Sequence, residues 1–179
     1  EYSFKMSKRN IIIEPDPILR KKSQLIETVN SELKILMDDM LETMYEAPGI
    51  GLAAVQIGIL KRVIVIDISK EPEKKSPLFL VNPKITYKSK DTSIYEEGCL
   101  SLPGYFAEIE RPAECHLNYL DYHGKKKELK AQGLLATCIQ HELDHLNGIL
   151  FIDYLSKLKK DMIIKKLKKQ KNNLNKIVI

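Results

Sequence analysis

Apolar residues recur at helical spacing in three stretches of the chain and cluster as strands between them. Over residues 30–45, Leu33, Leu36, Met37, Met40, Leu41 and Met44 fall on one helical face, and Pro48-Gly49 ends the pattern. Residues 62–68 and 78–81 are β-branched and leucine-rich runs that predict strands. Residues 115–131 predict a hairpin: one strand over 115–121, a turn at His123-Gly124, and a return strand ending near Gly133. A second helix is expected over 133–147, closed by Gly148. The third, over 153–175, is amphipathic, with Leu155, Leu158, Met162, Ile163 and Leu167 assigned to one face. Residues 11–22, broken by Pro15 and Pro17, read as an irregular arm. Strands grouped between helices at the two ends predict an α+β fold.

At 179 residues the chain suits one domain, residues 1–179, with a full core and no linker or repeat. No apolar run approaches the roughly 18 residues of a membrane span. Three cysteines, Cys99, Cys115 and Cys138, lack the even count and spacing of a disulfide framework, so a metal ligand or buried thiol is expected. Lysine far outnumbers arginine, the bias of an AT-rich coding genome. The net charge of +5 is uneven: residues 157–179 hold nine lysines and one acid, or +8, which leaves −3 on the rest. A local basic element of this kind decides partners more than the overall balance does.

The sharpest chemical signal is His141-Glu142-Leu143-Asp144-His145. Residues four apart share a helix face, so both imidazoles can reach one metal ion, with Glu142 placed to take a proton from a water activated there. With four histidines and fifteen glutamates, chance would produce the pattern about 0.007 times in such a chain. A catalytic site needs a third protein ligand. The metallopeptidase continuation H-x-x-G-x-x-H is followed as far as Gly148, but Phe151 stands where the third histidine belongs, and no glutamate follows Glu142. Upstream, the best candidate is Cys99, in a short glycine-preceded turn within Glu96-Glu97-Gly98-Cys99-Leu100-Ser101. The alternative is a buried structural thiol, a common fate of free cysteine. Asp144 is expected to orient a histidine or a nearby backbone group. Gln56, polar within the apolar run 50–60, needs a buried partner for its amide.

Three motifs resemble peptide deformylase: Gly49-Ile50-Gly51-Leu52-Ala53-Ala54-Val55-Gln56, Glu97-Gly98-Cys99-Leu100-Ser101 and Gln140-His141-Glu142-Leu143-Asp144-His145. The similarity runs from about residue 9 to 165, and Pro103-Gly104-Tyr105 and Arg111-Pro112 are closer to the organellar and Gram-negative-type branch. The resemblance implies mostly antiparallel sheets around a central helix carrying the two histidines. It implies Cys99, His141 and His145 as ligands of one divalent metal, natively Fe2+ and replaceable by Zn2+, Ni2+ or Co2+. It makes Glu142 the general acid/base, and Gln56 with the Leu100 N–H the oxyanion donors. Ile50, Leu134 and Cys138 would line the pocket for methionine, Gly49 and Gly51 would let the peptide approach, and Glu97 and Arg111 would bracket the site. The implied substrate is a formyl-Met nascent peptide, cleaved to formate and a free N-terminal methionine.

Two other readings compete. A zinc metallopeptidase requires a different third ligand, which the sequence does not supply. A ribosome- or RNA-binding module would act through the basic tail, and in related bacterial deformylases the C-terminal helix docks on the ribosome, so this reading is compatible with the enzymatic one. Neither DNA nor a membrane is expected as a partner. The chain starts at Glu1, so a targeting peptide would lie outside it. A plastid-type organelle or mitochondrion is expected if the source is eukaryotic, and the cytoplasm if it is bacterial.

Overall fold

The computed structural model describes residues 7–176, with side chains as far as residue 172. Helix α1 spans Ser31–Glu46, where the Asn30 side chain accepts from the Leu33 N–H and caps it. Strand β1 (Gly51–Ala53) leads into a 3-10 turn, Ala54–Ile57, and strands β2 (Val63–Ile66) and β3 (Leu78–Lys88) follow. Then come β4 (Thr92–Cys99), β5 (Leu102–Pro112), β6 (Glu114–Leu120), β7 (Lys126–Gln132), α2 (Gly133–Leu146), a 3-10 turn (Phe151–Tyr154) and α3 (Lys157–Lys176).

All pairing between these strands is antiparallel: one five-stranded sheet ordered β1-β2-β3-β6-β7 and a separate two-stranded ribbon of β4 and β5. The α+β expectation holds, with α2 at the centre. The four residues of β2 are buried on both faces of the sheet. Ile64 and Ile66 face the α2 side with Ile139 and Leu146, whereas Val63 and Val65 face the α1 side with Met37, Met40 and Met44. A strand covered twice reads as an unbroken apolar run, which is why it was visible in the sequence. Ten of the fourteen residues of α2 are buried, so this helix is enclosed almost all round.

The ribbon β4–β5 was not anticipated. Exposure alternates along both strands, but the outward positions mix Ile94 and Phe106 with glutamates and the covered ones include Ser93, Glu97 and Arg111, so hydropathy does not follow it. The Leu78–Val81 run is only the start of an eleven-residue strand. The third helix is present, and its apolar face is only partly the expected one: Leu155, Ile163 and Leu167, joined by Ile164, pack with Leu102, Ile109 and Phe151, while Leu158 and Met162 are exposed. At 100° per residue, Leu158 and Met162 point about 140–180° away from Leu167, so the five residues never shared one stripe. Helix α2 ends with Gly148 in the left-handed region (φ 75°), its N–H donating to the His145 carbonyl; a side chain there would collide with the Arg20 carbonyl.

Candidate metal centre and catalytic cavity

Helix α2 presents His141 and His145 one turn apart, with ring centroids at 5.1 Å. Cys99 is not in a turn, as the sequence suggested, but is the last residue of β4. There the register with β5 shifts between Gly98, opposite Phe106, and Cys99, opposite Leu102. Such an irregularity re-aims the side chain, and the Cys99 Sγ stands 3.3 Å from His145 Nε2. One ligand atom from each of Cys99, His141 and His145 lies within 4.8 Å of the others. Bond lengths of about 2.3 Å to sulfur and 2.1 Å to nitrogen put tetrahedral ligands about 3.5 Å apart, so the three residues fit a single ion. The donor set, one thiolate and two imidazoles, suits Zn2+ or Fe2+ better than a hard cation.

The two imidazoles are shifted in opposite directions: burial, followed by the charge of His141, holds His145 well below its ordinary range, whereas burial alone would lower His141 but its bonds to Cys99 and Glu97 hold it well above. His145 Nδ1 is buried without a hydrogen-bond partner among the described groups. His141 Nδ1, by contrast, donates to Glu97 Oε1 at 2.8 Å. Glu97 is itself gripped by Arg111 through Nε (2.7 Å) and Nη2 (3.0 Å), and Arg111 Nη1 reaches Asp144 at 2.9 Å. Burial alone would push Glu97 up, but His141 and Arg111 outweigh it and keep the carboxylate ionised. Arg111 is likewise driven up: burial opposes its charge, and Glu97 and Asp144 overcome that. Orientation of the metal-binding histidine thus falls to Glu97, not to Asp144. Asp144 instead secures Arg111 and accepts from Tyr154 Oη at 2.7 Å.

Glu142 lies on α2 beside the ligands. Burial first, with Glu97 and Asp144 adding to it against His141 and Arg111, pushes its pKa up to about 7. Its Oε2 is buried without a partner. A carboxyl that costs this much to bury is poised to exchange protons near neutrality. Gln56 is 1% exposed, and the partner its position required is present: Oε1 accepts from the Ala53 N–H, while Nε2 donates to Ser101 Oγ at 3.1 Å. The same Nε2 is 3.6 Å from Cys99 Sγ, so the amide borders the ligand cluster.

A cavity of about 670 Å³ opens onto these groups. Gly49, Ile50, Gly51, Gln56, Glu97, Cys99, Leu100, Leu134, Cys138, His141 and Glu142 all contribute to its wall, which brings together nearly every residue singled out in the sequence. Arg111 and His145 do not: Arg111 lies behind the ligands, where it holds Glu97, and His145 reaches the cluster through Nε2, 3.3 Å from Cys99 Sγ. Cys138 is a buried thiol held well above its ordinary range by burial, then by Glu142 and Glu97, and therefore acts as an apolar surface. Sequence reasoning missed Ile11, Ile13, Tyr95, Phe106 and Thr137 on the wall, and Ser101 beneath Gln56. Only Ser101, inside a motif, carried any signal. Among the described residues no helix is long and apolar enough to cross a membrane.

Comparison with known proteins agrees with this geometry. The polypeptide deformylase family model matches residues 8–161. A peptide deformylase of Pelagibacter ubique is 65% identical over 168 residues, spanning 94% of this chain and 98% of that protein. One from Rhizobium meliloti is 57% identical over 164 residues, 92% of this chain and 94% of that one. The crystal structure of peptide deformylase from Ehrlichia chaffeensis in complex with actinonin matches with a TM-score of 0.88 at 46% identity, covering 92% of this chain and 98% of that chain.

Proposed function

This chain belongs to the polypeptide deformylase family, and on that premise we propose how its residues divide the work of removing the N-formyl group from new polypeptides. The reaction is a metal-dependent hydrolysis, and Cys99, His141 and His145 are the residues that would hold the ion. When bound, the ion supplies Lewis acidity to the attacking water and the formyl carbonyl. Glu142 takes the proton released as water adds to the formyl carbon. The oxyanion that develops is met by the Gln56 amide and the Leu100 N–H, each such donor being worth roughly 3–4 kcal/mol in the transition state. Glu142 then returns its proton to the departing nitrogen, the C–N bond breaks, and formate and a free N-terminal amine leave.

Ile50, Leu134 and Cys138 form the apolar surface against which the methionine side chain packs, and Gly49 and Gly51 leave room for the peptide backbone. Arg111 supports the site from behind, and Glu97, on the cavity wall, serves it by holding His141. The ion is Fe2+ in this reading, which a thiolate ligand admits as it admits Zn2+. Residues 1–179 act as one catalytic domain, and bacterial relatives favour a cytoplasmic setting. The observation that carries the whole reading is the cluster of three ligands, two of which, Cys99 and His141, share one cavity wall with Glu142 and Gln56. Formate release from formyl-Met-Ala-Ser under anaerobic conditions, with bound metal assayed in parallel, tests it. A metal-replete protein that releases no formate refutes it.

Ribosome or rRNA contact through α3 is the second proposal, supported by the lysines that crowd its exposed side. Removing the helix would not be a clean test, because Leu167 is part of the core. Replacing the exposed Lys165, Lys166 and Lys169 with glutamine keeps the helix and should weaken ribosome co-sedimentation at low salt while sparing short-peptide turnover. Unchanged co-sedimentation refutes it.

A further inference from the structure

A single segment near the N-terminus ties together the two parts of the chain that carry the oxyanion donors. The Ile12 N–H donates to the Gln56 carbonyl at 2.7 Å, and the Glu14 N–H donates to the Ser101 carbonyl at 2.9 Å. Gln56 and Ser101 are 45 residues apart in sequence, and between them runs one side-chain bond, Gln56 Nε2 to Ser101 Oγ. Nothing local in the chain sets the distance between the Gln56 amide and the Cys99–Ser101 corner. The segment also alternates: Ile11 and Ile13 form part of the cavity wall, while Ile12 and Glu14 point elsewhere, Ile12 towards Gly58 and Glu14 towards Arg20.

Both ends of this segment are pinned by charge. Upstream, the Arg9 N–H donates to Thr43 Oγ1, and its guanidinium donates to Asp39 Oδ2 from both Nε (3.1 Å) and Nη2 (2.9 Å) on α1. Downstream, Arg20 donates to Asp153 Oδ2 at 2.6 Å and reaches Glu14 Oε1 at 3.4 Å, and Lys160 pairs with the other Asp153 oxygen at 2.8 Å. Arg20 therefore joins residue 14 to the 3-10 turn and, through Asp153, to α3.

We propose that residues 12–14 are a strap that holds the Gln56 amide and the Leu100 N–H at the spacing the oxyanion needs. Arg20, which touches neither the ligands nor the cavity wall, is on this account a positioning residue for the reaction. The physical reason is preorganisation: donors fixed before the reaction stabilise developing charge without being ordered during it. Loosening the strap leaves α2, with His141, His145 and Glu142, and the methionine-pocket residues Ile50, Leu134 and Cys138 in place, because neither strap bond reaches them, but lets the two donors drift apart. The inference rests on the oxyanion roles proposed above for Gln56 and Leu100.

The test compares Arg20→Ala, Arg20→Lys, Gln56→Ala and the Arg20→Ala/Gln56→Ala double variant on formyl-Met-Ala-Ser, with metal content measured for each. Arg20→Ala should lower kcat about tenfold with KM within about twofold and full metal content, a loss typical of misplaced catalytic groups. Arg20→Lys should recover most of kcat, since an ammonium still pairs with Asp153. In the Gln56→Ala background the cost of Arg20→Ala should shrink. Unchanged kcat in Arg20→Ala overturns the strap, as does a loss confined to KM, metal content falling in step with activity, or fully additive effects. If Arg20→Ala does not fold, Arg9→Gln loosens the strap from its other end and must give the same split. Failure of the premise shows differently: Gln56→Ala at full kcat sinks the oxyanion role and the strap with it, whereas a slow Gln56→Ala beside an unimpaired Arg20→Ala sinks the strap alone.

Discussion

Glu97 Oε1 accepts from His141 Nδ1 at 2.8 Å, while the same carboxylate takes two N–H groups of Arg111. A metal-binding imidazole is thereby fixed in tautomer and ring angle by a carboxylate that is fixed in turn by a buried cation, itself held by Asp144. Glu97→Gln should weaken metal affinity about 10- to 100-fold, read by competition with a chromogenic chelator. Equal affinities in variant and parent would remove the orienting role. Glu97→Ala should also destabilise the fold by about 3–5 kcal/mol, because Arg111, only 4% exposed, loses its main partner.

Gly51 is small because Glu142 is close. A methyl group at residue 51 would sit 2.6 Å from Glu142 Oε1 and 3.0 Å from Cys138 Sγ. Gly51→Ala should displace the carboxylate, lower kcat about 100-fold and leave bound metal unchanged. Full activity in that variant would mean that Glu142 tolerates displacement, which a proton-transfer role does not allow.

Cys99 separates a deformylase site from an ordinary metallopeptidase site. Cys99→Ala should strip most of the metal and the activity together, as judged by elemental analysis of the purified protein. Retention of stoichiometric metal would point to a ligand other than this thiolate.

Asp153 links acid stability to the contact between the 3-10 turn and α3. Burial alone would raise its pKa, but Lys160, the Leu150 N–H and Arg20 together hold it below the ordinary carboxylate range. A depressed carboxylate contributes stability that is present above its unfolded value, near pH 4, and is lost as pH falls through the folded one. Asp153→Asn should therefore be less stable at pH 7, by about 1 kcal/mol given solvent screening, and the gap to the parent should close towards pH 3. Urea unfolding at a series of pH values would measure it; a gap independent of pH would show that charge is not the cause.

Much of the site was legible because its chemistry is local. His141, Glu142 and His145 are placed by helical periodicity alone, and Gln56 stands out by polarity within an apolar run. The strands that were visible were those covered on both faces or closed by a recognisable turn. The β4–β5 ribbon was not, since its outer face carries Glu96, Glu108 and Glu110 among exposed Ile94 and Phe106 and its covered face carries Glu97 and Arg111, so polarity does not follow the alternating exposure. Leu158 and Met162 were misassigned to the apolar face of α3 for a related reason: hydropathy identifies apolar residues, but which of them are covered depends on where Phe151 and Leu102 stand.

The sequence by itself determined the reactive groups, the helix that pairs two of them and the class of ion they suit, because each of these depends on residue type and on spacing within one turn. Tertiary structure alone decided that Cys99 meets His145, that Glu97 rather than Asp144 orients His141, and that residues 12–14 bridge Gln56 to Ser101. Those contacts join positions tens of residues apart, and their distances are set by how the ribbon, the sheet and α2 pack, which no short-range pattern encodes.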